Sequence, residues 1–314
     1  MDGLPQTMEL EQAPSSREAV WQRTLKSSID CVGVGVHSGA RVQMTLRPAA
    51  PGTGIVFERT DLGRSLPARF DHVIDTRLCT VVGLPGEPSV RVGTVEHLMA
   101  ALAAKGIDNA VIALDGPEVP ILDGSAAPIL FLLDCAGSVE QAVPRRGIEI
   151  LQPVRVSDGA AFAELRPNRS GPRGLGMAMS IDFAAAAIGR QAYELHLSET
   201  SFRHELAAAR TFAMAEEVEQ LRAIGLARGG SLDNALVVDG DRVLNPGGLR
   251  MQGEFVRHKL LDAVGDLALA GMPLNGRFVA HRSGHALNNK LLRALFADRA
   301  AWRPLEDTAT LAAA

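Results

Sequence analysis

The sequence predicts an α+β fold made of two duplicated halves, and three observations predict it. Segments that read as strands and segments that read as helices segregate along the chain rather than alternating regularly, which disfavours a Rossmann-type sheet. A collinear set of landmarks recurs: Gly39-Ala40 leading to Leu46-Arg47-Pro48 is answered by Gly159-Ala160 leading to Leu165-Arg166-Pro167. Gly52-Thr53-Gly54-Ile55-Val56-Phe57 is then answered by Gly174-Leu175-Gly176-Met177-Ala178-Met179, with Asp61 and Asp182 following, and Val95-Glu96-His97-Leu98-Met99 by Val256-Arg257-His258-Lys259-Leu260. Each match is short; their shared order is what argues for duplication. Finally, 314 residues with 46% hydrophobic content suffice for two cores of layered sheet and helix.

The elements follow in order. Residues 1–21 are polar, contain Pro and Ser and lack an apolar h-region, so they are expected as a disordered arm and not a signal peptide. The first domain, 22–143, opens with strands at 41–46, which alternates toward Pro48, at 55–58, after a Gly turn, and at 73–82, an apolar stretch with β-branched residues. A helix is expected over 95–104, with Thr94 in the N-cap position and Gly106 as the stop. A strand over 109–114, a stiff turn at Pro117-Glu118-Val119-Pro120 and a helix over 127–135 complete this half. The boundary is expected in 137–147, with Pro144-Arg145-Arg146 as linker.

The second domain, 148–305, repeats the strands at 150–156, 161–165 and 177–183. It is longer between its Leu-Arg-Pro and its His, so it must carry an insert, placed at 213–239 with a helical piece over 213–224 stopped by Gly225 and a strand-like run over 235–238. A helix through 256–266 and a loop-to-helix transition at Ser283-Gly284-His285 follow, with 306–314 as a tail.

Composition narrows the function. A net charge of -4 with no basic stripe excludes nucleic acid as the expected partner. No run of about 18 apolar residues is present, so no transmembrane segment is expected. Cys31, Cys79 and Cys135 lack metal-ligand spacing and sit in apolar contexts, where a reduced, buried thiol is the simplest reading; the cytoplasm is the expected compartment.

The chemistry concentrates in Val256-Arg257-His258-Lys259-Leu260-Leu261-Asp262-Ala263-Val264-Gly265-Asp266. His258, Asp262 and Asp266 stand at i, i+4 and i+8 and project from one helix face, while the apolar neighbours leave little circumference for solvent. Buried imidazoles and carboxylates are costly unless paired, so the stripe is either a set of buried ion pairs or half of a metal site. A third ligand must come from elsewhere, and Glu96-His97 on the other predicted helix is the best source: a catalytic zinc takes three protein ligands and needs a carboxylate near its water. A capping Glu beside a satisfied core His is the alternative for that pair alone. If the halves pack about a pseudo-twofold axis, His97 and His258 occupy equivalent positions and meet between the domains. His285 just after Gly284, and Thr211 in Ala209-Arg210-Thr211-Phe212, are further polar candidates, with a backbone-bonded His and a helix N-cap as their alternatives.

Taken with Gly33-Val34-Gly35-Val36-His37-Ser38-Gly39, Val119-Pro120-Ile121-Leu122-Asp123-Gly124-Ser125 and Ser283-Gly284-His285-Ala286-Leu287-Asn288-Asn289-Lys290, these motifs resemble the UDP-3-O-acyl-N-acetylglucosamine deacetylases. Those are zinc amidases that commit Gram-negative bacteria to lipid A, and hence lipopolysaccharide, synthesis. The resemblance covers about 23–305 and implies two α+β domains of similar topology, each with an insert, with the active site between them.

Carried over residue by residue, it implies Zn2+ on His97, His258 and Asp262, Glu96 as general base, and Thr211 beside the carbonyl oxygen. It implies that His285, kept cationic by Asp266, gives a proton to the departing amine. Lys259 and Phe212 would meet phosphate or sugar of a nucleotide-sugar acyl substrate, and Val218, Ala227 and Gly230 would line the acyl passage; the protein is expected to act as a monomer. His37 lies in a Gly-rich turn with no settled role. Two other classes use the same residues: a zinc hydrolase of another N-acyl compound, and a binding protein with a vestigial metal site, which would need neither Glu96 nor His285.

Overall fold

The computed structural model describes residues 20–169 and 172–306. Its first half runs β1 (Trp21–Leu25), β2 (Ile29–Val34), β3 (Arg41–Pro48), β4 (Ile55–Arg59), β5 (Arg64–Pro67), β6 (Val73–Asp75), β7 (Val81–Leu84), β8 (Glu87–Val92), α1 (Glu96–Ala104), β9 (Ala110–Leu114), α2 (Ala127–Ala136) and β10 (Ser138–Pro144). The second runs β11 (Arg146–Ile150), β12 (Val154–Asp158), β13 (Ala161–Arg166), β14 (Leu175–Asp182), β15 (Arg190–His196), α3 (Glu199–Ser201) leading into a π-turn at Phe202–Leu206, β16 (Phe212–Met214) and α4 (Ala215–Ala223). It continues with β17 (Leu236–Asp239), β18 (Arg242–Val243), α5 (Glu254–Ala268), β19 (Leu274–His281), α6 (His285–Ala297) and β20 (Trp302–Glu306).

The two halves share one order of strand pairing. In the first half the sheet order is β2-β3-β9-β4-β5, with β9 antiparallel to β3 and parallel to β4. In the second, β12, β13, β19, β14 and β15 pair in that order, with β19 antiparallel to β13 and parallel to β14. Strands β11 and β20 extend the second sheet from the start of β19. The landmarks aligned in the sequence fall on β3 and β13, β4 and β14, α1 and α5. Each half also interposes a three-stranded sheet between its fifth strand and its helix, β6-β7-β8 in one and β16-β17-β18 with α4 in the other. Alternation drives the strands: Leu175, Met177, Met179 and Ile181 of β14 are buried, and Leu274, Phe278 and Ala280 of β19 face the same core.

Several expectations need correction. The single strand over 73–82 is two, because Arg77 folds back, its backbone N–H and its guanidinium both bonded to Asp75. The stretch 137–147 is no open linker: β10 and β11 run through it and only Arg145 lies between them. The strand over 150–156 ends as β11 at Ile150 and restarts as β12 at Val154. Thr94 is not the N-cap, a place taken by Val95 in helical geometry; Thr94 has a left-handed backbone, φ +56°, and its hydroxyl bonds Glu118. Trp21, assigned to the arm, opens β1, and Glu306, assigned to the tail, closes β20; residues 1–19 and 307–314 lie outside the described residues. Cys79 is buried, but Cys31 is only half-buried and Cys135 is exposed on the outer side of α2. Among the described residues no helix is long and apolar enough to cross a membrane.

Helices α1 and α5 pack directly on each other, and a glycine sets their distance. A Cβ at Gly265 would lie 1.9 Å from the Glu96 carbonyl oxygen, so no other residue fits without moving one helix. Gly265→Ala, a substitution that would favour an isolated helix, is therefore expected to destabilise the protein by about 1–3 kcal/mol or more through overpacking. Denaturant unfolding measures this, and unchanged stability would mean that the crossing can relax.

Candidate metal centre and active site

Helix α5 carries four buried polar residues at intervals of four: Glu254, His258, Asp262 and Asp266. This spacing stacks them along one face. Glu254 anchors the start, taking the Arg210 Nε at 2.8 Å, its Nη2 at 3.1 Å and the backbone N–H groups of Arg210 and Arg250. That pairing draws residues 209–212 alongside the helix, and the carbonyl of Ala209 accepts from His258 Nδ1 at 3.0 Å.

The next two residues meet α1. His97 and His258 lie edge to face with ring centroids 5.0 Å apart. Asp262 Oδ1 lies 3.3 Å from His258 Nε2 and 3.6 Å from His97 Nε2, and the three atoms lie within 4.8 Å of one another. Lys259 Nζ donates to Asp262 Oδ2 at 2.9 Å, whereas Oδ1 is buried without a hydrogen-bond partner.

The proton inventory fits a cation at this point. A carbonyl only accepts, so His258 Nδ1 carries the hydrogen; burial, against the pull of Asp262, pushes the ring's pKa down to about 4 and keeps it neutral, with a bare lone pair on Nε2. Two acceptors facing each other at 3.3 Å repel unless a positive ion lies between them. Two imidazole nitrogens and one carboxylate oxygen form a donor set suited to zinc, one short of the four ligands that zinc usually takes. Burial would raise the Asp262 pKa, yet the facing His258 ring and the Lys259 ammonium bonded to Oδ2 hold it well below the usual carboxylate range, so the third donor is ionised.

A second cluster adjoins the first. Asp266 Oδ1 accepts from the Thr80 hydroxyl at 2.5 Å, and Oδ2 from His285 Nδ1 at 2.9 Å and Asn288 Nδ2 at 2.8 Å. Burial opposes the His285 cation, but Asp266 and then Glu96 outweigh it and raise its pKa to about 9. Glu96 accepts the Thr80 N–H on Oε2 at 3.0 Å and turns Oε1 toward His285 Nε2, 3.9 Å away; burial raises its pKa while His285 and His97 counter in part.

A profile of the family described as UDP-3-O-acyl N-acetylglycosamine deacetylase matches residues 22–297. The chain belongs to this family. Among deacetylases carrying the name UDP-3-O-acyl-N-acetylglucosamine deacetylase, the chain is 53% identical to that of Phenylobacterium zucineum over 287 residues, 90% of this chain and 96% of the relative. It is 52% identical to that of Acidithiobacillus ferrooxidans over 285 residues, 90% and 91% of the two chains. To the Haemophilus influenzae protein it is 50% identical over 285 residues, 90% and 92%.

Of the residues singled out in the sequence, Glu96, His97, His258, Lys259, Asp262, Asp266 and His285 thus come together. Phe212 stands edge-on to Phe255 and His258, with centroids at 5.0 and 6.3 Å. Thr211 is held by its backbone, donating to Gly124 O and accepting from Leu236 N, which makes it part of a strand edge and not a helix N-cap. Val218, Ala227 and Gly230 belong to the second insert: Val218 is half-buried on α4, and Ala227 and Gly230 flank a turn whose N–H groups at Arg228 and Gly229 reach His37 O and Val36 O. His37 Nδ1 is buried without a partner, and burial, opposed by Glu118, lowers its pKa. Sequence reasoning missed Thr80, Asn288 and the Arg210–Glu254 pair. The last had a signal, since Glu254 extends the stripe by one more step of four; Thr80 had none, its partner Asp266 being 186 residues away.

Two outcomes are expected. His97→Ala, His258→Ala and Asp262→Ala should each lose stoichiometric zinc, measured by atomic absorption after desalting; full retention by all three would dissolve the ligand set. In the metal-free protein, NMR titration should find His285 protonated up to about pH 9, and Asp266→Asn should drop that midpoint, because burial then acts with less opposition. An unmoved midpoint would assign the raised pKa to another group.

Proposed function

We propose that this chain hydrolyses the N-acetyl group of UDP-3-O-(3-hydroxyacyl)-N-acetylglucosamine, releasing acetate in the committed step of lipid A biosynthesis, with zinc as cofactor. The observation that carries the reading is the unpartnered, buried Asp262 Oδ1 converging with two imidazole nitrogens beside a buried Glu and a cationic His. The names of the relatives supply the substrate. We place the enzyme in the cytoplasm, in line with its unpaired cysteines, and take it to act as a monomer.

His97, His258 and Asp262 would hold the zinc, whose Lewis acidity lowers the pKa of water and polarises the acetamide carbonyl. Glu96 takes a proton from the attacking water, and its raised pKa brings it closer to the range where a general base works best. The Thr80 N–H fixes one of its oxygens and leaves the other facing the reaction. As the carbonyl oxygen gains charge, the Thr211 hydroxyl and the His285 cation stabilise it. His285 has its Nδ1 committed to Asp266, so the proton on Nε2 passes to the nitrogen of the breaking C–N bond; without it the amine is a poor leaving group.

Lys259, already against Asp262, presents its ammonium to substrate phosphate or sugar oxygens, and Phe212 stacks near the sugar. Val218, Ala227 and Gly230 line the passage for the acyl chain, where each buried methylene contributes about 0.8 kcal/mol.

The test is acetate release from the nucleotide-sugar substrate by zinc-loaded protein. Glu96→Ala should keep the metal and lose roughly 10² to 10⁴ in kcat. Activity should decline as pH rises through about 9, where His285 gives up its proton. Release of acetate from other N-acetyl sugars but not from this substrate would favour a generic amidase, and near-normal turnover by Glu96→Ala would assign proton transfer elsewhere.

A further inference from the structure

Glu118 stands outside the clusters described above, yet it is 4% exposed and its carboxylate is bonded on both oxygens. Oε1 accepts from the His37 N–H at 2.9 Å and the Thr94 hydroxyl at 3.0 Å. Oε2 accepts from the Ser38 N–H at 3.0 Å and the Ser38 hydroxyl at 2.7 Å. An amide in its place would keep one acceptor oxygen but turn its NH2 toward the backbone N–H of either His37 or Ser38, donor against donor. The fit is tight: a Cβ at Gly35 would lie 2.2 Å from Glu118 Oε2.

These bonds reach two parts of the molecule. One is Thr94, a β-branched residue at φ +56°, a backbone that costs about 1–3 kcal/mol and persists only where the surroundings enforce it. Gly93 is tied to the same segment as Glu118, its N–H on Pro117 O at 2.9 Å and its carbonyl on Val119 N at 3.0 Å. The left-handed turn at Thr94 then redirects the chain into α1, whose first two residues are Glu96 and His97. The other part is the turn at residues 35–39, on which the second insert rests through Arg228 N to His37 O at 3.2 Å and Gly229 N to Val36 O at 3.1 Å.

We infer that Glu118 is a positioning residue that aims the first turn of α1 through Thr94 and seats the second insert through the 35–39 turn. The inference builds on the function proposed above, and gives Glu118 two separable effects: on turnover, through Glu96 and His97, and on substrate binding, through the insert.

The experiment exploits the backbone at Thr94. Thr94→Val keeps the branching but loses the hydroxyl, so kcat should fall roughly 10²-fold, the scale of a displaced catalytic group. Thr94→Gly adopts the left-handed turn without steric strain and needs no hydroxyl, so kcat should stay within about threefold of wild type. Glu118→Gln should lower kcat and raise KM in the wild-type background but only raise KM in the Thr94→Gly background, and Ser38→Ala should raise KM alone. If Glu118→Gln fails to fold by thermal denaturation, the Thr94 pair and Ser38→Ala carry the test.

Zinc affinity, read by chelator competition, should show the same Val against Gly contrast because His97 lies in this turn. That readout stands even if wild type releases no acetate, a result that would overturn the proposed function and not the positioning role. Equal losses in Thr94→Gly and Thr94→Val, or an equal kcat loss for Glu118→Gln in both backgrounds, would overturn the inference.

Discussion

The crossing of α1 and α5 at Gly265 is the constraint on which the site depends. A glycine inside a helix costs roughly 1 kcal/mol relative to alanine, and here it leaves space for the Glu96 carbonyl where a side chain would stand. Because the two backbones approach so closely, the residues flanking the crossing face each other within a few ångströms. His97 then meets Asp262, about one helix turn before Gly265, and His258, about two turns before it, and Glu96 comes within reach of the His285 that Asp266 holds. A wider crossing would admit solvent, and these groups would behave as ordinary surface acids and bases.

The dryness that results separates two histidines of the same starting chemistry. Burial disfavours the charged ring in both. His258 Nδ1 faces a backbone carbonyl, and burial outweighs both that bond and the pull of Asp262, so the ring stays neutral. His285 Nδ1 faces Asp266, a full charge, and it becomes a cation. The groups facing each ring thus set its charge, and in the proposed mechanism that difference separates a metal ligand from an acid. Thr80 adds a second layer: its N–H on Glu96 and its hydroxyl on Asp266 tie the proposed base and the carboxylate that holds His285 to one residue at the edge of the first insert.

Much of this was legible in the sequence. The four-residue spacing of His258, Asp262 and Asp266 survives into the structure because a helix preserves it, and the repeated Leu-Arg-Pro and Gly landmarks fall on equivalent strands because the pairing order is the same in both halves. What escaped was non-local or conformational. Nothing near Thr80 announces a partner in the other half. The apolar run 73–82 resembles one strand, and its break comes from an Asp75–Arg77 contact that periodicity does not register. Thr94 reads as an N-cap by residue type, but its backbone is left-handed and its hydroxyl is bonded to Glu118, which leaves Val95 at the cap. Segment 137–147 has linker composition, yet both of its strands find partners, β10 on β1 and β11 on β19 and β20.

The division of the donor set between α1 and α5 bears on biosynthesis and folding. The first half leaves the ribosome carrying Glu96 and His97 on an apolar helix whose covering partner has not yet been made, so it must pass through a period of exposed core surface that chaperones are suited to shield. Contacts such as Thr80 with Asp266 close loops of nearly two hundred residues and belong among the slow, late events. Neither half can gather all three donors alone, so an ion that binds them recognises only the completed molecule and, by mass action, draws late intermediates toward it.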